Sequence, residues 1–359
     1  MAKKTVLIGM SGGVDSSVSA ALLVEKGYQV IGGFIKNWSD SKDVWSGECQ
    51  WRGDRRDAMR IASQLNIPLL TFDFEDLYRE RVIDEMFRGY TRGVTPNPDV
   101  LCNQEIKFGV FFEAAKRLKA DYIATGHYAR VRRGKDGRAH LLKGLDADKD
   151  QSYFLHRISQ KALAKTIFPI GGLEKSEVRR IARSLGLSTA DRKESMGICF
   201  IGKQPMKDFL RTRIPSKPGN VIDPNGIEIG SHQGLDSVTI GQRHGFSVRI
   251  PGGPWYAAGK DLQTNCLIAV PGREHEMLYG SQAVIGDLHW IDRRPVSGAR
   301  GISVAVRYRQ EPIPVDIRFS KGGVIVDFRK PVFAIAPGQS AVFYKGKECL
   351  GGGIIEMSK

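Results

Sequence analysis

The segment Ser11-Gly12-Gly13-Val14-Asp15-Ser16-Ser17 combines the residue types that hold a phosphate group. Two adjacent glycines let the backbone turn tightly and approach an anion closely. Backbone N–H groups at the start of the helix that follows point at phosphate oxygens, and the helix dipole favours negative charge there. Ser11, Ser16 and Ser17 add hydroxyl donors. Asp15 has the wrong charge for phosphate, so its expected role is to hold a Mg²⁺ that bridges phosphate oxygens. A glycine turn with a serine cap is common in α/β proteins. The pattern SGGxDS, however, arises by chance in a chain of this length with a probability on the order of 10⁻³. It is not a Walker A loop: Gly134-Lys135, Gly259-Lys260 and Gly346-Lys347 lack both the earlier glycine and the following Ser/Thr.

A second group is Thr95-Pro96-Asn97-Pro98-Asp99-Val100-Leu101-Cys102-Asn103, read as a turn with an acid and a thiol three residues apart. Taken alone, Cys102 reads equally as a reactive thiol and as a buried hydrophobe. His127, in Ala124-Thr125-Gly126-His127-Tyr128, is by residue type more often a packing histidine than a catalytic one. Cys199 lies between Gly197 and Gly202 and by itself reads as a strand cysteine packed among Ile198, Phe200 and Ile201. The five cysteines, at 49, 102, 199, 266 and 349, form no CxxC pair, which excludes a local zinc knuckle. An odd, scattered set predicts a reducing compartment, the cytoplasm.

These residues need elements to position them. Apolar runs predict strands at Thr5–Met10, Tyr28–Ile35, Pro68–Phe72 and Tyr122–Thr125. Helical periodicity predicts helices over Val18–Lys26, Asp54–Leu65, Phe108–Leu118 and Ser176–Leu185. The alternation implies an α/β domain, a doubly wound and mainly parallel sheet over residues 1–202. Ligands in such sheets lie at the carboxyl ends of the strands, where the phosphate loop, Gly33–Trp38 and Ala124–Tyr128 fall. Beyond Gly202 proline and glycine replace helical periodicity, with strand-like runs at Val221–Ile222, Ile227–Ile229, Ser237–Ile240 and Cys266–Val270. A small β-rich domain over 203–275 is expected. From residue 276 alternation appears in Ile302-Val304-Val306-Tyr308 and Val315-Ile317-Phe319, which predicts a C-terminal β-barrel of five or six strands over 276–359.

The formal charge of +15 is spread over these parts as surpluses of eight in 1–200, three in 201–275 and four in 276–359. That excludes a polybasic tail and favours a polyanionic partner met over a broad surface. No run approaches the ~18 apolar residues of a membrane span. The apolar stretch after Lys3-Lys4 is too short for a signal peptide core.

The phosphate loop resembles that of the N-type ATP pyrophosphatases, which cleave ATP between the α and β phosphates. A wider set of motifs is similar to the bacterial tRNA-specific 2-thiouridylases of the MnmA type. It comprises Gly9–Ser17, Lys36-Asn37-Trp38, Thr95–Asn103 with Glu105-Ile106-Lys107-Phe108, Ala120–Tyr128, Lys149–Leu155, Gly197–Gly202, His232-Gln233-Gly234, Ile240–Arg243, Pro254-Trp255-Tyr256, Arg307–Gln310 and Pro337–Ala341. Departures are Ile35 where the family has Met, Met196 beside the thiol, and a poorly matching stretch over Ser39–Arg56.

The resemblance implies an adenine nucleotide α-hydrolase-like fold and a use of ATP and Mg²⁺. It implies adenylation of the C2 carbonyl oxygen of the wobble uridine in tRNA for Lys, Glu and Gln, then transfer of persulfide sulfur to give 2-thiouridine. It places ATP at Gly9, Met10, Ser11, Gly12, Gly13, Val14, Asp15, Ser16, Ile35 and Gly126. It makes Cys199 the persulfide carrier, with Cys102 releasing sulfide from it or closing a disulfide with it. Asn97, Pro98 and Asp99 would meet the target base, with Asp99 as general acid or base. His127, Lys149, Asp150, Gln151, Arg307, Tyr308 and Gln339 would contact tRNA. The sulfur would come from a cysteine desulfurase or a sulfur-relay protein, and a monomer is the simplest assembly. Two other readings are a pyrophosphatase acting on a small-molecule amide or nucleotide, and an RNA-binding protein whose nucleotide site only regulates binding. Neither needs Cys102 and Cys199 together.

Overall fold

The computed structural model describes residues 3–39, 49–192 and 205–358. Five parallel strands, β1 (Thr5–Gly9), β2 (Gln29–Lys36), β3 (Leu69–Asp73), β4 (Tyr122–Ala124) and β7 (Thr166–Ile167), form one sheet in the order β3-β2-β1-β4-β7. Val6, Leu7 and Ile8 are fully buried because β1 is the central strand, covered on both faces. Helices α1 (Val14–Glu25), α2 (Gln50–Gln64) and α8 (Lys175–Ser184) cover one face through Val18, Leu23, Ile61, Val178 and Ala182. Phe108, Phe111 and Phe112 cover the other. The strand order reverses between β1 and β4, which opens a crevice at their carboxyl ends.

Two local differences from the sequence expectations matter for the site. Helix α1 starts at Val14 rather than Val18, so it leaves the phosphate loop directly. The expected turn around Cys102 is a turn only as far as Asn97, whose Oδ1 accepts the Val100 N–H at 3.3 Å. With Pro98 in the first helical position, this caps α5 (Pro98–Leu101). The chain then runs through a wide π-type stretch, Cys102–Val110, into α6 (Phe111–Arg117). Between β3 and this cap lie α3 (Glu75–Tyr78) and α4 (Asp84–Thr91), and α7 (Gln160–Ala164) precedes β7.

After α9 (Met206–Arg211) come β8 (Gly219–Ile222), β9 (Glu228–His232), β10 (Phe246–Val248), β11 (Trp255–Asp261) and β12 (Cys266–Pro271), one sheet in the order β10-β9-β8-β12-β11. Ser237–Ile240 is not a strand: the Gln242 side chain takes the Thr239 N–H at 3.1 Å, the donor a neighbouring strand would need. The last six strands are β13 (Tyr279–Trp290), β14 (Ile302–Ala305), β15 (Ile313–Ser320), β16 (Gly323–Phe333), β17 (Ser340–Lys345) and β18 (Glu348–Ser358). Because β13 pairs with both β16 and β18, they close a barrel around Ile285, Val304, Ile317, Val326 and Phe343. The alternation read through Tyr308 stops at Ala305, and the Val306 N–H turns to Gln310 Oε1 at 2.9 Å. The hairpin β5 (Ala129–Arg133) and β6 (Ala139–Lys143) joins this sheet, with Leu141 opposite Cys349 and Leu142 opposite Glu348. Among the described residues no helix is long and apolar enough to cross a membrane.

Candidate active site

The phosphate loop fills the crevice between β1 and β4. Gly12 takes a left-handed backbone angle, φ 74°, which glycine adopts without strain. The loop is closed by its own serines: Ser16 Oγ donates to Gly13 O at 3.0 Å and accepts the Ser11 N–H at 3.2 Å. Ser17 Oγ also donates to Gly13 O, at 2.8 Å. No side chain caps α1, so the N–H groups of Val14, Asp15 and Ser16, which precede the first intrahelical bond, have no capping acceptor. Gly126 packs against this turn, and a Cβ there would lie 2.8 Å from Ser16 N and 2.9 Å from the Asp15 carbonyl carbon. A glycine-only contact beside uncapped donors fits a polyphosphate. Met10 is buried and donates its N–H to Gly33 O at 2.9 Å, and Gly9 ends β1 beside Phe111. Ile35 lies near the end of β2, partly buried against Phe111's cluster.

Asp15 does not stand ready for a metal. Lys175 Nζ lies 2.8 Å from both of its carboxylate oxygens, and Tyr128 Oη donates to Oδ1 at 2.8 Å. No cluster of three metal-ligating side chains occurs among the described residues. The donor set therefore suits a Mg²⁺ shared with phosphate oxygens, not one held by protein alone. Tyr128 is in turn fixed by Gln151, whose Oε1 accepts the Tyr128 N–H at 3.0 Å and whose N–H reaches Tyr128 O at 2.9 Å. Asp150 accepts from Gly144 N at 2.8 Å, Ser152 N at 3.1 Å and Ser152 Oγ at 2.9 Å. The Lys149 N–H donates to Asp146 Oδ1 at 3.2 Å. Asp150 and Gln151 thus brace the site from within.

Asp99 in the capped helix and Cys102, the first residue beyond it, lie three residues apart. Burial pushes the Asp99 carboxyl above the ordinary carboxylate range, while the Lys107 charge pulls it the other way. Lys107 Nζ also approaches His127 Nε2 at 3.4 Å. An ammonium can only donate, so the imidazole proton sits on Nδ1 and is given to Thr125 Oγ1 at 2.7 Å. Burial, with the Lys107 charge second, holds His127 far below the usual imidazole range, and it is neutral. Contacts run from Ser16 to Gly126 and from His127 to Lys107, and the Lys107 charge acts on Asp99. Cys102 is 2% exposed, in a cluster with Trp38, Tyr78, Met86 and Phe209.

The residues expected on the barrel meet the turn that precedes this helix. Gln339 Nε2 donates to Thr95 O at 2.8 Å, and the Thr95 N–H donates to Pro337 O at 3.1 Å. Thr95 Oγ1 lies 3.2 Å from Thr239 Oγ1 of the middle sheet region. Arg307 donates to Ile240 O at 2.5 Å, and burial lowers its pKa. Tyr308 packs against Phe154 with ring centroids 4.3 Å apart and planes tilted by 45°, and the Arg309 guanidinium lies over the Tyr308 ring at 5.3 Å. Arg307, Tyr308 and Gln339 therefore sit at a three-way junction.

Cys199 lies outside the described residues. The chain on either side of them is anchored. Arg192 donates to Gly12 O and to Asp57 Oδ2, both at 2.6 Å, and pairs with Asp54. Phe209 and Leu210 of α9 pack in the Cys102 cluster. Cys349 is buried with its thiol pKa pushed up by desolvation, and Cys49 Sγ donates to Ser39 O at 2.8 Å. Sequence reasoning missed Lys107, Tyr128, Lys175 and Arg192. Lys175 carried a readable cue: a lysine at the first residue of a helix opposes the helix dipole and needs a local anion.

Comparison with known proteins shows the family. Residues 4–203 match the family described as tRNA methyl transferase HUP domain, 207–271 the tRNA methyl transferase PRC-barrel domain and 281–355 the aminomethyltransferase beta-barrel domain. The tRNA-specific 2-thiouridylase MnmA of Lactococcus lactis subsp. cremoris is 47% identical over 99% of this chain and 96% of its own. That of Shigella dysenteriae is 49% identical over 98% of this chain and 97% of its own. The chain belongs to the MnmA-type tRNA-specific 2-thiouridylase family.

Proposed function

We propose that this protein is an ATP-dependent tRNA uridine 2-sulfurtransferase. The observation that carries the reading is the run from Ser16 through Gly126 and His127 to Lys107, whose charge acts on Asp99, three residues from the buried Cys102. A uracil carbonyl is a poor electrophile, because oxygen leaves badly. The loop N–H groups and Gly126 hold the phosphates of ATP while the C2 oxygen attacks the α-phosphorus and pyrophosphate leaves. The oxygen then departs as part of AMP. Asn97, Pro98 and Asp99 hold the base. Asp99, half-buried and with its carboxyl pushed above the ordinary carboxylate range by burial, is a proton donor or acceptor at it. Asp15, together with phosphate oxygens, would hold a Mg²⁺, which would supply charge neutralisation for the leaving pyrophosphate.

Sulfur arrives as a persulfide on Cys199, supplied by a cysteine desulfurase or a relay protein. The terminal sulfur attacks C2 as AMP leaves. The Cys102 thiolate then attacks the Cys199 sulfur, which breaks the S–S bond, leaves one sulfur on C2 and forms a Cys102–Cys199 disulfide. An external dithiol must reduce that disulfide before the next cycle. The flanking anchors support this pairing, since one lies on the phosphate loop and the other in the Cys102 cluster. The RNA surface includes Lys149 and the junction residues Arg307, Tyr308 and Gln339, with the buried His127 behind it, and the base must leave its stack to enter, which costs a few kcal/mol. The test is incubation with ATP, Mg²⁺, a persulfide source and unmodified tRNA, followed by nucleoside analysis. We expect 2-thiouridine and one AMP for each. ATP cleavage without thiouridine overturns the tRNA reading.

A further inference from the structure

We propose that Asn103 recognises the target uracil, with its side-chain oxygen accepting the N3–H of the base. The inference rests on the tRNA-thiolating reading above and adds a specificity residue to the same site. Asn103 is 4% exposed. Its Nδ2 donates to Phe154 O at 3.2 Å. That bond fixes the amide, since an oxygen turned to Phe154 would set two acceptors face to face. Oδ1 therefore points the other way, and it is buried with no donor reaching it among the described residues. A buried acceptor left unpaired bears its full desolvation penalty, so it calls for a donor that a ligand can bring.

The surroundings say which ligand. Asn103 lies four residues beyond Asp99, about one helical turn further along the chain capped by Asn97. Its anchor, Phe154, packs its ring against Tyr308 with centroids 4.3 Å apart. The amide is thus held between the segment proposed to hold the base and the junction proposed to meet RNA. The pairing edge of uracil has two acceptors, O2 and O4, and one donor, N3–H. O2 is taken up by the α-phosphorus, so N3–H is the group left for Oδ1. With that proton kept on N3 throughout, the adenylated ring is cationic. The bond to Oδ1 then strengthens as C2 becomes electrophilic, and the proton is still in place in the thiouridine product. Cytosine has a bare acceptor at N3 and would face Oδ1 with no proton between them.

The test is single-turnover thiolation by the full chain with ATP, Mg²⁺ and a persulfide source. The substrates are tRNA with uridine at the wobble position and tRNA with N3-methyluridine there, the second assembled from synthetic fragments. The wild-type chain is expected to thiolate N3-methyluridine at least about 10-fold more slowly than uridine. Asn103→Ala is expected to slow the uridine reaction about 10- to 100-fold, the range for a lost hydrogen bond to a charged group. It is also expected to treat the two bases alike, because the methyl group takes the space of the missing amide. Asn103→Ser, a smaller loss of packing, is expected to narrow the preference in the same direction and serves if Asn103→Ala does not fold. An asparagine that only supported the fold would lower both rates by one factor. An unchanged preference in either variant therefore overturns the proposal, as does a wild-type chain that thiolates both bases at one rate, and each leaves the tRNA reading standing. A wild-type chain that thiolates neither base overturns both.

Discussion

The phosphate loop and the Thr95–Cys102 segment are built in opposite ways. The loop is closed by bonds among residues 11, 13, 16 and 17, all within one strand–helix unit. The other segment begins at Thr95, whose N–H, carbonyl and hydroxyl are bonded to Pro337, Gln339 and Thr239, the last two 244 and 144 residues away. The loop proposed to bind the anion is thus closed by local bonds. The segment proposed to hold the base is fixed by three parts held together, so events on the barrel reach Asp99 more directly than they reach the loop.

The largest effect is expected at Asp99. Asp99→Asn should lower thiolation about 10²- to 10⁴-fold, the usual loss for a general acid or base, with pyrophosphate binding intact. A rate close to wild type would remove Asp99 from the chemistry. Next come two glycines that separate the regions. Gly126→Ala places a Cβ 2.8 Å from Ser16 N, and Gly338→Ala places one 2.7 Å from Thr95 N at φ 89°. Gly126→Ala should weaken pyrophosphate binding. Gly338→Ala should cost about 1–3 kcal/mol of stability and slow thiolation without touching pyrophosphate affinity. If both variants lose both properties equally, the two regions are not independent.

A smaller effect concerns Lys260, whose Nζ donates to Gly93 O at 3.1 Å near the same junction. Burial lowers its pKa to about 8, with Asp236 opposing. The folded state therefore binds fewer protons than the unfolded state between about pH 8 and the ordinary lysine value of 10.5, and stability rises with pH across that window. At pH 7 both states are charged and the full burial penalty remains. Urea unfolding at pH 7 and pH 10 should show Lys260→Met gaining relative to wild type at the lower pH, and parallel curves would refute the burial argument. The smallest change is expected for Gln339→Leu, which loses one bond to Thr95 O and about 0.5–1.5 kcal/mol in a thermal melt.

The same contrast explains what could be read from the chain. The strands and helices of the first 200 residues, the phosphate loop and the closed barrel follow from periodicity and glycine placement, which are local. Asn97-Pro98 was a helix start in plain view, yet proline and asparagine were read as a turn because the capped helix continues in an irregular π-type stretch. Asp150 and Gln151 were assigned to RNA by resemblance. Their polar groups are instead engaged by Gly144, Ser152 and Tyr128, partners that no spacing rule names. The Asp15–Lys175 pair joins residues 160 positions apart, and pairing of that kind is fixed only by packing α8 on α1.

The hairpin formed by β5 and β6 has a consequence for how the protein is made. Its outer strand partner, β18, lies about 200 residues downstream, and at a synthesis rate of about 5–20 residues per second the hairpin emerges from the ribosome tens of seconds before Glu348 and Cys349 exist to pair with Leu142 and Leu141. During that interval β6 is an open sheet edge on an otherwise completed nucleotide domain. A nascent chain halted before residue 348 should therefore recruit chaperones or self-associate through that edge, and release of the final strand ends the exposure.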